Sequence, residues 1–159
     1  MADTRAHAIA EAHLVLFDGP RTLLLLRANT GWMDGHWSVV AGHVDPGESA
    51  AAAMCREARE EADIGLAPEH LRLFHVIHRS PGRPGTAPRI GFFFTTDHWT
   101  GEIRNAEPHK CDALEWFHAD ALPDAMVPYV ATAIDHGRRG VLYSDFGWPD
   151  AGPDARSQA

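Results

Sequence analysis

Glu57, Glu60 and Glu61 stand three and four positions apart in a run of strong helix formers that follows Ser49. At about 100° per residue such positions share one helix face, so folding would gather three carboxylates into one patch. Like charges at this spacing cost a few tenths of a kcal/mol in an isolated helix (~0.2–0.5), and a hard divalent cation reverses the sign of that cost. Oxygen donors of this kind suit Mg²⁺, or Mn²⁺ in its place, which keep several waters and share phosphate oxygens. The chemistry on offer is metal-assisted hydrolysis of a phosphoanhydride, because bound cations neutralise a polyphosphate and lower the pKa of a bound water. The plainer reading of a Glu-rich helix is a solvated acidic face, here with Arg56 and Arg59 as intrahelical partners.

The surrounding elements argue for the sharper reading. Asp45-Pro46-Gly47 reads as a turn that delivers Glu48 and Ser49 to the helix start. Ala50, Met54, Ala58 and Ala62 form an apolar stripe beside the carboxylates, so the helix can dock on a core and still hold them at the rim of a cleft. Upstream, Ser38 to Ala41 reads as a short strand that ends at Gly42.

The order of these residues, Gly42, Glu48, Arg56-Glu57, apolar Ala58, Glu60-Glu61 and apolar Ile64, resembles the signature of the Nudix hydrolases. Asp63 stands where that signature has a glycine. That glycine normally closes the helix in a left-handed conformation, which Asp tolerates at a cost of roughly 1 kcal/mol, and Gly65 is near enough to share the turn. The resemblance implies that Glu57, Glu60 and Glu61 hold Mg²⁺ with the Gly42 carbonyl. It also implies that Glu57 or Glu60 orients or deprotonates the attacking water, and that Arg56 pairs with Glu48 or neighbouring carboxylates to set the helix.

A second stretch, Asn105-Ala106-Glu107-Pro108-His109-Lys110-Cys111-Asp112 with Leu114-Glu115-Trp116, is similar to family members that hydrolyse nucleoside triphosphates, the thiopurine and oxidised-nucleotide kind. His43, directly after Gly42, agrees with them. Glu107 is then a further metal-associated carboxylate from outside the helix. The activity so implied is cleavage of a nucleoside triphosphate to a monophosphate and pyrophosphate. Hydrolysis of a dinucleotide or nucleotide sugar, of the ADP-ribose type, uses the same metal helix. A non-catalytic ligand sensor of the same fold is the reading from another class, and retention of Glu48, Glu57, Glu60 and Glu61 argues against it.

Arg27, Trp37, His43 and Lys110 are the substrate-contact candidates. Arg27 follows a leucine run and faces either solvent or phosphate; Lys110 holds phosphate or a base edge, or is a solvated lysine. Trp32 and Trp37 are stacking platforms for a nucleobase or parts of a packed rim. The 11 histidines are scattered, and His75 and His78 fall on opposite faces of one expected strand, which argues against a joint site.

The resemblance implies an α/β fold, an α/β/α sandwich with a mixed sheet between the signature helix and a C-terminal helix. The expected strands are residues 7–17, Thr22 to Leu26, Leu71 to Arg79, Ile90 to His98 and Ala113 to Phe117, with a Pro/Gly-rich loop from Ser80 to Pro88. Val127, Val130, Ala131 and Ile134 give helical spacing over 127–138. The aromatic-rich Val141 to Trp148 packs on the domain or on a second subunit, and a homodimer is the assembly many such proteins form.

With 159 residues, 45% hydrophobic and 23% charged, residues 1–149 fit one globular domain, followed by a disordered tail, 150–159. The formal charge of -8 argues against nucleic-acid or acidic-membrane partners, and a small nucleotide delivered with Mg²⁺ remains compatible. Two cysteines, Cys55 and Cys111, without metal-finger spacing, and no secretory leader or bilayer-length apolar run lead to the expectation of a reduced, cytoplasmic protein.

Overall fold

Two sheets and two helices make up the computed structural model, which describes residues 5–149; the expected tail, 150–159, lies outside the described residues. The first sheet is built on β1 (Ile9–Leu14). It pairs antiparallel with β5 (Val40–His43) and parallel with β7 (Arg89–Thr95). The antiparallel partner of β7 is β6 (Arg72–Arg79), and β9 (Tyr143–Phe146) runs parallel to β6, giving the order β5-β1-β7-β6-β9. Parallel and antiparallel ladders in one sheet make it mixed, as the resemblance implied.

The second sheet centres on β3 (Arg21–Arg27), flanked by the short β2 (Phe17–Asp18) and β4 (Trp37–Ser38) and by β8 (Cys111–His118), all antiparallel to it. Leu23 and Leu25 of β3 belong to one core and Leu24 to the other. A strand buried on both faces shows no alternation, which is why this run is uninterrupted leucine.

Helix α1 (Ala50–Ala62) starts at Ser49, whose side chain accepts from the Ala52 N–H at 3.1 Å. It buries Ala53, Met54, Ala58 and Ala62. The stripe read from spacing is thus shifted at its first member, with Ala53 buried and Ala50 only partly so. Helix α2 (Pro128–Arg138) opens on a proline, which lacks the N–H that a first helical turn leaves unpaired. Its buried face is Tyr129, Val130, Ala133, Ile134 and His136. Of the four positions read from spacing, Val130 and Ile134 lie on it, Val127 is buried as the N-cap, and Ala131 is only partly buried. One core packs α1 against both sheets, and the other packs α2 beneath Leu24, Ile77 and Phe93.

The segment after α2 packs on its own domain. His75, pushed below the ordinary imidazole range by burial and therefore neutral, donates from Nδ1 to the Val141 carbonyl at 2.8 Å. Its Nε2 then accepts from the Ser144 hydroxyl at 2.8 Å. Trp148 Nε1 donates to the His78 carbonyl at 3.0 Å.

Asp63 ends α1 in the left-handed conformation, φ 56° and ψ 29°, and Gly65 continues into a two-residue bridge with Thr100. The Asp63 carboxylate pairs with Arg104 and lies 3.9 Å from Arg59. Exposed pairs of this sort contribute ~0–1 kcal/mol, and relief of the left-handed strain returns roughly 1 kcal/mol. Asp63→Gly is therefore expected to leave stability within ~1 kcal/mol of wild type, whereas Asp63→Ala, which loses the pair and keeps the strain, falls by ~1 kcal/mol. Urea denaturation of the two variants side by side checks the order.

Candidate active site

The carboxylates meet the end of β5. Glu61 accepts from the Ala41 N–H at 2.9 Å, which fixes helix α1 against the strand one residue before Gly42. The Glu57 carboxylate occupies the space in front of Gly42: a Cβ there would lie 1.9 Å from Glu57 Oε1. Only glycine admits this approach.

Arg56 ties the cluster together. Its guanidinium donates to Glu48 at 2.7 and 3.3 Å, to Glu57 at 2.6 Å and to the His43 carbonyl at 3.0 Å, and it reaches Glu60 at 3.5 Å. Glu48 also accepts from the Asp45 N–H at 2.8 Å, closing the turn before the helix. One arginine thereby fixes the turn, the strand end and the acidic face. The loop bearing Glu107 docks on the C-terminal end of α1, because Arg104 N donates to the Ala62 carbonyl and Ala106 N to the Glu61 carbonyl, at 3.0 and 3.1 Å.

Charge is undercompensated here. Burial drives the Glu61 carboxyl up to about 8; the Ala41 N–H opposes that shift, and the charges of Glu57 and Glu107 add to it. Burial also raises the Glu57 carboxyl against the pull of Arg56, with Glu60 and Glu107 acting in the same direction as burial. Hydrogen bonds from Arg56 hold Glu48 below its ordinary range. Among the described residues no three carboxylate, imidazole or thiol groups stand in a ready-made coordinating array, and Arg56 takes one oxygen of Glu57. The donor set nevertheless fits a hard divalent cation: all oxygen, partly buried, and short of positive charge.

Gly42, Glu48, Arg56, Glu57, Glu60 and Glu61 are thus brought together, with Glu107 close enough to act on Glu57 and Glu61. Lys110 lies 3.2 Å from Glu107. Arg27 donates to the Trp32 carbonyl at 3.0 Å and the Thr30 hydroxyl at 2.9 Å, and its charge is among those acting on Glu61. His43 presents its carbonyl to Arg56, but its imidazole sits 3.0 Å from Arg89 and 3.7 Å from Glu11. Neighbouring residues of a strand face opposite ways, and Gly42 faces Glu57. Trp37 lies edge-on to Phe117, 4.6 Å between ring centroids, against the α2 core.

A polar group on the α2 side was not singled out from the sequence. Glu11 is buried between Arg79 and Arg89, and Arg79 lies 3.7 Å over the Tyr129 ring. His13, which burial holds near 3 and hence neutral, is 3.0 Å from the Tyr129 hydroxyl and stacks on Phe93. The available signal was Glu11 and His13 alternating on one face of an otherwise apolar strand.

The Glu61 carboxyl sets a pH dependence for the metal-free protein. Its folded value of about 8 exceeds its ordinary 4.5, so between those limits the folded chain binds more protons than the unfolded one. Stability contributed by this group is full below pH 4.5 and falls as pH rises toward 8, by at most ~1.4 kcal/mol per unit. Glu57, also raised, adds to the decline, and Glu11 and Glu48, whose values are lowered, act below this window. His13, held near 3, and His75, also lowered, act in the opposite direction up to their ordinary 6.5. Urea denaturation in chelator from pH 6.5 to 8, above the histidine window, should show the decline, and Glu61→Gln should make it shallower.

A family model described as the NUDIX domain matches residues 8–136. The NAD-capped RNA hydrolase NudC of Stutzerimonas stutzeri (strain A1501) is 32% identical over 100 residues, 63% of this chain and 33% of that protein, so the chain spans about a third of that relative's length. Phosphatase NudJ of Escherichia coli (strain K12) is 29% identical over 124 residues, 71% of this chain and 76% of that one. The crystal structure of a MutT NUDIX hydrolase from Burkholderia pseudomallei superimposes with a TM-score of 0.73 at 26% identity, over 81% of this chain and 97% of that one.

Proposed function

Since the chain belongs to the Nudix hydrolase family, we propose that it is a divalent-metal-dependent hydrolase that cleaves a nucleoside triphosphate to a nucleoside monophosphate and pyrophosphate. The observation that carries the reading is the acidic cluster with its part-buried, cation-short Glu61 and with Glu57 seated against Gly42. Glu57, Glu60 and Glu61 would hold Mg²⁺, or Mn²⁺, together with the Gly42 carbonyl and Glu107. When bound, the metal neutralises the diphosphate and lowers the pKa of a water. Glu57 or Glu60 would orient the attacking water and take its proton, and Arg56 keeps both carboxylates and the strand end in register. Arg27 and Lys110, both flanking the cluster, supply positive charge toward a polyphosphate.

The triphosphate reading draws on the Glu107–Lys110 loop and its likeness to triphosphate-hydrolysing members. A second reading, hydrolysis of a dinucleotide, is favoured by one observation, the 32% identity to an NAD-capped RNA hydrolase. Product analysis with and without chelator separates the two: nucleoside triphosphates would give a monophosphate and pyrophosphate, NAD two nucleoside monophosphates, and nucleotide sugars a nucleoside monophosphate and a sugar phosphate. Triphosphate turnover that needs Mg²⁺ is the expected result. Cleavage confined to NAD or nucleotide sugars supports the second reading, and saturable binding without turnover of any of them points to a ligand sensor.

With regard to membranes, no helix among the described residues is long and apolar enough to cross a bilayer.

A further inference from the structure

Four of the five tryptophans are engaged in packing. Trp99 and Trp116 lie against the α1 core, Trp37 against Phe117, and Trp148 against His78. Trp32 is 48% exposed. Leaving an indole in water forfeits a large burial gain, and an unconstrained loop would relieve that by folding the ring inward.

The loop from 28 to 36 is held in place instead. The Asp34 carboxylate accepts from the N–H groups of Thr30 and Gly31, at 3.0 and 2.9 Å, and from the Thr30 hydroxyl at 2.6 Å. The Thr30 hydroxyl in turn receives Arg27 at 2.9 Å and the Trp32 N–H at 3.3 Å. The Arg27 guanidinium stacks over the indole, 4.9 Å from its centroid, and Tyr129 lies tilted beside it at 6.4 Å. The loop is also anchored beside the Glu107–Lys110 segment: Arg27 pairs with Cys111 across β3 and β8, the Ala28 N–H donates to the Lys110 carbonyl at 2.9 Å, and Asn29 Nδ2 donates to the His109 carbonyl at 3.1 Å. A rigid, cation-backed aromatic surface is therefore tied to the segment that carries Glu107 and Lys110.

We propose that Trp32 is the platform on which a planar heteroaromatic ring of the substrate stacks, with Arg27 joining that ring subsite to the phosphate subsite. The proposal rests on the nucleotide reading above and deepens it: recognition would depend on a π-face, not on a sugar or on phosphates alone. A pre-ordered aromatic loses little freedom on binding, and base-on-aromatic stacking tolerates any base. Arg27 coming from the strand end would fix the distance between the two subsites.

The test is equilibrium binding of α,β-methylene nucleoside triphosphates, purine and pyrimidine, against inorganic tripolyphosphate, all with Mg²⁺. Wild type should prefer the nucleotides, and Trp32→Ala should lose that preference by about 5- to 150-fold, the range measured for one base–aromatic stack, while its affinity for tripolyphosphate is unchanged. Trp32→Phe, which keeps a ring face, should retain most of the preference. A wild type that binds tripolyphosphate as tightly as nucleotides overturns the proposal. An unchanged preference in Trp32→Ala does so too, as does equal loss in both variants, which would assign the effect to the loop and not to a ring face. Binding is read without turnover, so failure of the hydrolytic reading shows separately, as absence of product from unmodified triphosphates.

Discussion

Glu57→Gln should lower kcat by ~10³-fold, within the range for removing a positioned acid–base or metal-binding group, while the protein stays folded. The substitution keeps the shape, and the amide oxygen can still accept from Arg56, whose Nη1 lies 2.6 Å from Glu57 Oε1. What goes is the charge, and with it both the affinity for a hard cation and the ability to take a proton from water. Stability should move little, because burial already raises the Glu57 carboxyl and so disfavours its ionised form in the fold. Steady-state kinetics with Mg²⁺, alongside thermal unfolding, separate these two expectations. A Gln variant with near wild-type kcat would remove Glu57 from the chemistry and leave the carboxylate role to Glu60 and Glu61.

How much of this was legible in the sequence depends on the range of the interaction. Helix α1 and its acidic face were, because i, i+3 and i+4 spacing is a local property and Ser49 caps the helix from next door. The left-handed Asp63 was legible too, since the family pattern has glycine at that place. The set of Glu11 with Arg79 and Arg89 was not, because its partners are 68 and 78 residues apart in the chain and meet only when β1, β6 and β7 align. Strand β9, with its polar Tyr-Ser-Asp-Phe sequence, has too little alternation to announce itself; its pairing comes from His75 and the edge of β6.

The two loop tryptophans show the same limit at short range. Trp32 and Trp37 are five positions apart, and composition treats them alike. Trp37 becomes part of β4 and is drawn against Phe117 by the pairing of β3 with β4 and β8. Trp32 sits in a turn closed by Asp34 and remains outside. Which face each ring meets is a property of the assembled sheet, not of either residue.

The Gly42–Glu57 contact gives the second large effect. Gly42→Ala should reduce kcat by ~10²-fold, the penalty for moving a reacting group by about an ångström, with a loss of stability below ~1 kcal/mol, as expected when only a flexible side-chain end must shift. The new Cβ would lie 1.9 Å from Glu57 Oε1 and 2.1 Å from its Cδ, so the carboxylate cannot stay. Gly42 is not among the positive-φ glycines, so alanine fits its backbone and the strand is kept. Gly82→Ala is the control: nothing lies within 4 Å of a Cβ there, and it should be silent. If the damage runs through Glu57, the double variant Gly42→Ala with Glu57→Gln should be no slower than Glu57→Gln alone, because the displaced group has already lost its charge. Multiplicative losses in the double variant would mean that Gly42 acts by a separate route, through its own carbonyl or the path of β5, and that the close approach to Glu57 is incidental to the chemistry.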